Sequence, residues 1–237
     1  MRLSLSIVMA AYNEAEALPK AVADVLSFLR SHTDHGELII VDDGSTDGSD
    51  LLIDRLALEH KEIIPLHLKR NQGMGAALLL GFSRATRDWV TILPGDGQID
   101  PNDLLLFFEQ AENADLVTSL YKNRTTGLWR RAISLGLRLL TTVIVGTRAR
   151  TEGTYLVRRT VLQELRPQSN SFLLNLEIPI RAKKRGYRIR TVQIHMRERI
   201  AGCSKAATFR RILQTFLELF RLRVRLEKEK WGNKTQE

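Results

Sequence analysis

Short apolar runs that each end in a polar turn alternate with helical patterns along the first half of this 237-residue chain. The clearest is Leu38-Ile39-Ile40-Val41, which delivers Asp42 and Asp43 into Gly44-Ser45-Thr46-Asp47. A continuous apolar run bounded by a turn reads as a buried strand. In an open α/β sheet the ligand crevice lies outside the carboxyl ends of the strands, so carboxylates delivered there are placed to hold a small molecule. The same residue types also turn a chain and cap the next helix, and from this run alone the two readings stand level.

Strands are expected at Leu3 to Ala10, Glu37 to Val41, Ile63 to Leu68, Trp89 to Leu93 and Asp115 to Ser119. Helices are expected between them at Ala15 to Leu29, Ser49 to His60, Gly75 to Thr86 and Pro101 to Ala111. This alternation implies an α/β fold with a mostly parallel sheet flanked by helices on both faces. Later strands are expected at Thr154 to Val157 and Arg188 to Ile194, and later helices at Leu128 to Val145, Thr160 to Leu165 and Leu174 to Arg185. From Thr208 to Lys230 the apolar residues Phe209, Ile212, Leu213, Phe216, Leu217, Phe220 and Val224 recur at helical spacing.

The formal net charge is +9, and the excess is concentrated between Lys205 and Lys230. A basic amphipathic helix of this kind suits an anionic membrane surface; packing on the domain or on a second subunit is the other reading. Nucleic acid is not expected as the main partner, because the polar turns are acidic. Cys203 is the only cysteine, which excludes an internal disulfide and fits a reducing compartment. The most apolar long stretch, Ala132 to Thr147, carries Arg138 and is flanked by arginines, so no transmembrane helix is expected. Leu3 to Ala11 is read as a strand and not as a signal-peptide core.

Four turns follow four expected strands: Tyr12-Asn13-Glu14, Asp42-Asp43-Gly44-Ser45, Arg70-Asn71-Gln72-Gly73-Met74-Gly75 and Pro94-Gly95-Asp96-Gly97-Gln98. On one edge of one sheet they form a site. Gly73-x-Gly75 is a weak dinucleotide signal, since Leu78 stands where a third glycine belongs. Glycines that let a helix and a strand approach closely explain it equally well.

Together with Arg197-to-Lys205, these motifs resemble the inverting GT-A family-two glycosyltransferases, and more narrowly their polyprenyl-phosphate (dolichyl-phosphate mannose synthase-like) branch. The likeness covers about residues 4 to 205. It implies a GT-A, Rossmann-like domain over 1–205, with a donor half to about 120 and an acceptor half beyond it, and a basic amphipathic C-terminal helix and tail over 206–237. It further implies that Tyr12, Glu14 and Asp43 cradle the base and ribose of a UDP- or GDP-sugar, with Asp42 supporting that loop. Ala11, Asn71, Gly73 and Asp96 complete the nucleotide-sugar contacts. A core aromatic for Tyr12 and helix capping for Glu14 are the structural alternatives.

Asp96 and Gln98 match the second acid and the glutamine of the family's Asp-x-Asp-x-Gln metal motif, which implies Mg²⁺ or Mn²⁺. Pro94 stands where the first acid belongs. Asp100 is the nearby substitute, but Asp100-Pro101 reads better as a helix N-cap. Arg199 and Lys205, in a segment resembling Arg-x-x-Gly-x-Ser-Lys, are expected on phosphates, and Arg124 and Arg131 on an acceptor phosphate. Glu177 resembles an acid facing the acceptor, with a helix-surface glutamate beside Arg181 as the alternative. Glu152 is expected as a solvated loop residue, and His195 as a packing histidine at a strand end.

The function implied is transfer of a sugar to a lipid-linked phosphate such as polyprenyl phosphate. It would take place in cell-envelope chemistry on the cytoplasmic face of the membrane, with a membrane-protein partner or a homodimer. The alternatives are a hydroxyl acceptor with Glu177 or Glu152 as base, or a sugar-nucleotide-binding protein with a degenerate metal site.

Overall fold

A computed structural model describes residues 2–122, 136, 141–146, 151–197 and 217–227. The chain runs β1 (Leu3–Ala11), α1 (Leu18–His32), β2 (Thr33–Asp42), α2 (Ser49–Glu59), β3 (Ile63–His67), α3 (Met74–Arg84) and β4 (Trp89–Ile92). A 3₁₀ turn (Pro101–Asp103) then leads into α4 (Leu104–Ala111), β5 (Leu116–Tyr121), β6 (Tyr155–Arg158), α5 (Arg159–Leu165), α6 (Leu174–Lys184) and β7 (Ile189–Ile194). Residues 217–227 form a terminal helix.

The strands make one seven-stranded sheet in the order β3-β2-β1-β4-β6-β5-β7. All pairings are parallel except those of β6, which runs antiparallel to both β4 and β5. Strand alternation sorts the core into two layers. Leu5, Ile7 and Met9 of β1 pack with α1 and α4 on one face. Val8 packs with Ala77 and Leu78 of α3 and with Leu174 and Ile178 of α6 on the other. The close approach of α3 to the sheet is at Gly81, where a Cβ would stand 2.3 Å from Val8 Cγ1.

Two boundaries depart from the sequence pattern. The second strand begins at Thr33, directly after α1, because the polar run Thr33 to Glu37 pairs with β1 from Leu3 onward. The first helix begins at Leu18, with Pro19 in its first turn and no side-chain cap. Of the helix expected over Leu128 to Val145, only Gly136 and 141–145 lie within the described residues, and both are helical. In the terminal helix Leu219, Leu222 and Leu226 are buried against Ile144, Val145, Leu173 and Ile180. One face of the tail therefore packs on the domain, while Leu217, Phe220 and Val224 are exposed on the other.

Candidate functional site

The first two turns are stitched together along the carboxyl edge of the sheet. Asn13, in the left-handed region at φ 54°, donates its amide to Ser45 Oγ at 2.9 Å, and its Oδ1 accepts from the Thr46 amide at 2.8 Å. The Glu14 amide donates to Ser49 Oγ at 3.0 Å, and the Ala15 amide to Asp47 at 3.1 Å. Burial works against ionising Asp47, but the bonds from Ser49 and Ala15 outweigh it and hold the carboxyl below the usual carboxylate range. Ala11 is buried at the end of β1, where its carbonyl accepts from the Asp43 amide at 2.8 Å.

The two adjacent acids have different tasks. Asp43 accepts from the consecutive amides of Gln72 at 2.7 Å and Gly73 at 2.9 Å, one with each oxygen. Burial pushes its carboxyl above the usual range, against the pull of those two amides. Asp42 holds the Ser45 amide at 3.1 Å and lines a cavity of about 500 Å³ with Tyr12, Ser45, His67, Arg70 and Asn71. Asp43 thus braces the loop at Gly73, and Asp42 beside it lines the cavity. Tyr12 is half-buried and lines the same cavity, so it is not a core aromatic. Glu14 is half-buried, and no side chain caps α1.

Close backbone approaches complete the crevice. Gly44 has φ +71°, and a Cβ there would stand 2.6 Å from the Arg70 Cα. A Cβ on Gly75 would stand 2.3 Å from the Asn170 carbonyl carbon, so the second glycine of Gly73-x-Gly75 admits a loop and not a strand. The sequence motifs do not point to His67, and they name Arg70 only as the first residue of its turn. His67 Nε2 is 2.9 Å from Asp54 Oδ1, and Nδ1 is 3.8 Å from Asp42 Oδ2. Their signal was position, at the end of β3 and directly before Asn71.

Asp96 is 7 % exposed in the turn after β4, and its Oδ1 accepts from the Gln98 amide at 3.1 Å. Gly97, at φ 70°, closes that turn on the Pro94 carbonyl. Asp100 caps the following 3₁₀ turn through the Asn102 amide at 3.0 Å and pairs with Arg197. The Arg197 amide donates to the Gln98 carbonyl at 2.9 Å, which ties Arg197 to the turn that holds Asp96. Among the described residues no cluster of three His, Cys, Asp or Glu side chains is arranged for a metal. One buried carboxylate and one amide side chain fit Mg²⁺ or Mn²⁺ when a diphosphate supplies further oxygens.

Glu177 is not on the helix surface. Its side chain and that of Arg181 are both 0 % exposed, paired at 2.6 Å. Its second oxygen accepts from the amides of Gln168 at 3.2 Å and Ser169 at 2.8 Å. Glu152 is half-buried and accepts from the Tyr121 amide at 3.3 Å, so it is not a freely solvated residue. His195 is exposed. Arg124, Arg131, Arg199 and Lys205 lie outside the described residues. A larger cavity, about 790 Å³, opens beside Arg2, Trp89 and Arg158 at the opposite edge of the sheet.

The sequence pattern of glycosyl transferase family 2 matches residues 6–166. The chain is 30% identical over 220 residues to the undecaprenyl-phosphate 4-deoxy-4-formamido-L-arabinose transferase of Salmonella choleraesuis strain SC-B67. That match covers 91% of this chain and 66% of the relative, so the chain spans just under two thirds of the relative's length. The fold is similar to glucosyl-3-phosphoglycerate synthase of Mycobacterium tuberculosis, solved with Mn²⁺, UDP and phosphoglyceric acid. The TM-score is 0.69 at 20% identity, over 93% of this chain and 77% of that one. It is also similar to a mannosyltransferase of Pyrobaculum calidifontis solved with GDP-Man and Mn²⁺. There the TM-score is 0.61 at 19% identity, over 85% of this chain and 58% of that one.

Proposed function

Because this chain belongs to glycosyl transferase family 2, we propose that it is an inverting glycosyltransferase that moves one sugar from a UDP- or GDP-sugar to a lipid-linked phosphate of the polyprenyl type. The observation that carries the reading is the crevice itself: the turns after β1, β2 and β3 are bonded into one wall, with Asp42 and Tyr12 facing a cavity of about 500 Å³. A carboxylate there accepts from a base N–H or a ribose hydroxyl, and an aromatic ring beside it covers the base.

Asp96 and Gln98 are the residues that would hold Mg²⁺ or Mn²⁺ with the donor diphosphate. The bound ion supplies charge stabilisation to the leaving diphosphate. Arg199 and Lys205 would add positive charge to the same group, and Arg124 and Arg131 would hold the acceptor phosphate.

An acceptor phosphate is already ionised at neutral pH and attacks without a general base. A hydroxyl acceptor needs one, and Glu177 is sealed in an ion pair with 0 % exposure. With Glu177 closed off and Glu152 bonded to the Tyr121 amide, the phosphate acceptor accords better with these acids, and the Salmonella relative is named for undecaprenyl phosphate.

Leu217, Phe220 and Val224 project from the terminal helix beside Arg221 and Arg225. This outer face suits the cytoplasmic surface of an anionic membrane, where such an acceptor resides. Among the described residues no helix is long and apolar enough to cross a membrane.

Titration calorimetry with UDP and GDP, with and without Mn²⁺, tests the donor half of the reading. One nucleotide should bind with metal-dependent affinity, and Asp42→Ala should weaken it about tenfold or more. No binding of either nucleotide in either condition contradicts it.

A further inference from the structure

The loop over 166–173, between α5 and α6, is packed onto the first turn of α3. The Asn170 carbonyl oxygen would be 3.3 Å from a Cβ on Gly73, and the Ser171 nitrogen 2.5 Å from one on Gly75. One side chain holds this loop from below: Glu177 accepts from the Gln168 and Ser169 amides with one oxygen and from Arg181 Nε with the other. From the side, Ser171 Oγ donates to Glu218 of the terminal helix. On the far side of the Gly73 turn, Asp43 holds the Gln72 and Gly73 amides. The stack therefore runs from Arg181 through Glu177, residues 168–171 and the Gly73–Gly75 turn to Asp43.

A buried ion pair is an expensive way to fill volume, since apolar residues of the same size pack as stably or better. What this pair supplies that an apolar pair does not is a charged acceptor, fixed by Arg181, for two loop amides. We infer that Glu177 is a positioning residue for the donor loop, acting through residues 168–171 on the turn at Gly73 and Gly75. The inference rests on the reading that this turn faces the nucleotide sugar; the mechanical link does not.

The test compares Glu177→Leu/Arg181→Met, which keeps the volume and removes the acceptor, with Glu177→Gln/Arg181→Met, which restores an acceptor oxygen without orphaning the arginine. Gly75→Ala strains the same contact from the donor side. Hydrogen exchange is read at residues 72–75 and 168–171 in the ligand-free protein, and donor KM, kcat and nucleoside-diphosphate Kd are read in parallel. The Leu/Met pair and Gly75→Ala should speed exchange in both segments and raise donor KM and Kd about tenfold, with a smaller change in kcat. The Gln/Met pair should recover most of the loss.

Unchanged exchange at residues 72–75 in the Leu/Met pair overturns the inference. So does a fall in kcat of about tenfold with donor KM and Kd unchanged, which would put Glu177 in the chemistry. A wild-type protein that binds no nucleotide, while exchange still responds as expected, would overturn the functional reading and leave the positioning link standing.

Discussion

Asp43 grips the backbone of Gly73 from across the crevice: its two carboxylate oxygens take the Gly73 amide at 2.9 Å and the neighbouring Gln72 amide at 2.7 Å. Asp43→Ala leaves both donors without their acceptor, at a cost of about 1–3 kcal/mol for each that stays buried. The expected result is a lower denaturation midpoint together with weaker nucleoside-diphosphate binding, because one contact serves both. Asp42→Ala should weaken binding with a smaller loss of stability, since it holds one backbone amide, that of the half-buried Ser45 in its own turn, besides the longer contact to His67. Equal stability losses in the two variants would contradict this division.

The metal motif should respond in both directions. Asp96→Ala removes its carboxylate, and sugar transfer should fall about a hundredfold or more. Pro94→Asp puts an acid where the family's motif has one, and should lower the Mn²⁺ concentration needed for half-maximal nucleotide binding. A transfer assay measures the first, and calorimetry across a Mn²⁺ series measures the second.

Acidification should weaken the fold through Glu62. The hydrogen bond from Arg30 at 2.8 Å holds the Glu62 carboxyl at about 2 against an ordinary 4.5. A depressed carboxylate contributes stability above its unfolded pKa, and that contribution is lost as pH falls from 4.5 toward about 2. The effect is small because the Arg30 side chain is 52% exposed. Urea midpoints between about pH 6 and about pH 2.5 should fall less steeply in Arg30→Met than in the wild type.

The terminal helix has one face for the domain and one for a partner. Leu222→Ala opens a cavity among Ile144, Leu173 and Ile180 and should cost about 2–5 kcal/mol in thermal unfolding. Leu217→Gln, Phe220→Gln and Val224→Gln combined change only exposed positions and should leave the midpoint within a few degrees. Flotation with vesicles containing anionic lipid should be lost in that triple variant.

The donor half was legible because its strands are buried parallel runs, rich in Val, Ile and Leu, that each end in a polar turn. The sequence pattern for β1, β3 and β4 agrees with the strands to within a residue or so. The start of β2 was hidden, because Thr33 to Glu37 is polar and becomes a strand only by pairing with β1. The antiparallel direction of β6 is likewise set by its neighbours β4 and β5 and leaves no mark on Tyr155 to Arg158.

In the site, the motifs imply Asp43 at the nucleoside and Asp42 in support, but not that Asp43 also takes two amides of the loop at Gly73, about 30 residues away. The surroundings of Glu177 are hidden for the same reason. Its spacing from Arg181 suits a surface ion pair, and only tertiary packing seals both side chains at 0 % exposure. The sequence pattern picks out the Leu217, Phe220 and Val224 stripe of the tail, and the Leu219, Leu222 and Leu226 face that packs on the domain shows only once the groove that receives it is seen.

The central claim is tested most directly by incubating the protein with labelled UDP- and GDP-sugars, polyprenyl phosphate and Mg²⁺ or Mn²⁺, then separating the lipid product. The account predicts labelled glycosyl polyprenyl phosphate from one donor class, with metal required and the product lost in Asp96→Ala. Nucleotide binding with no labelled lipid from any combination would contradict it.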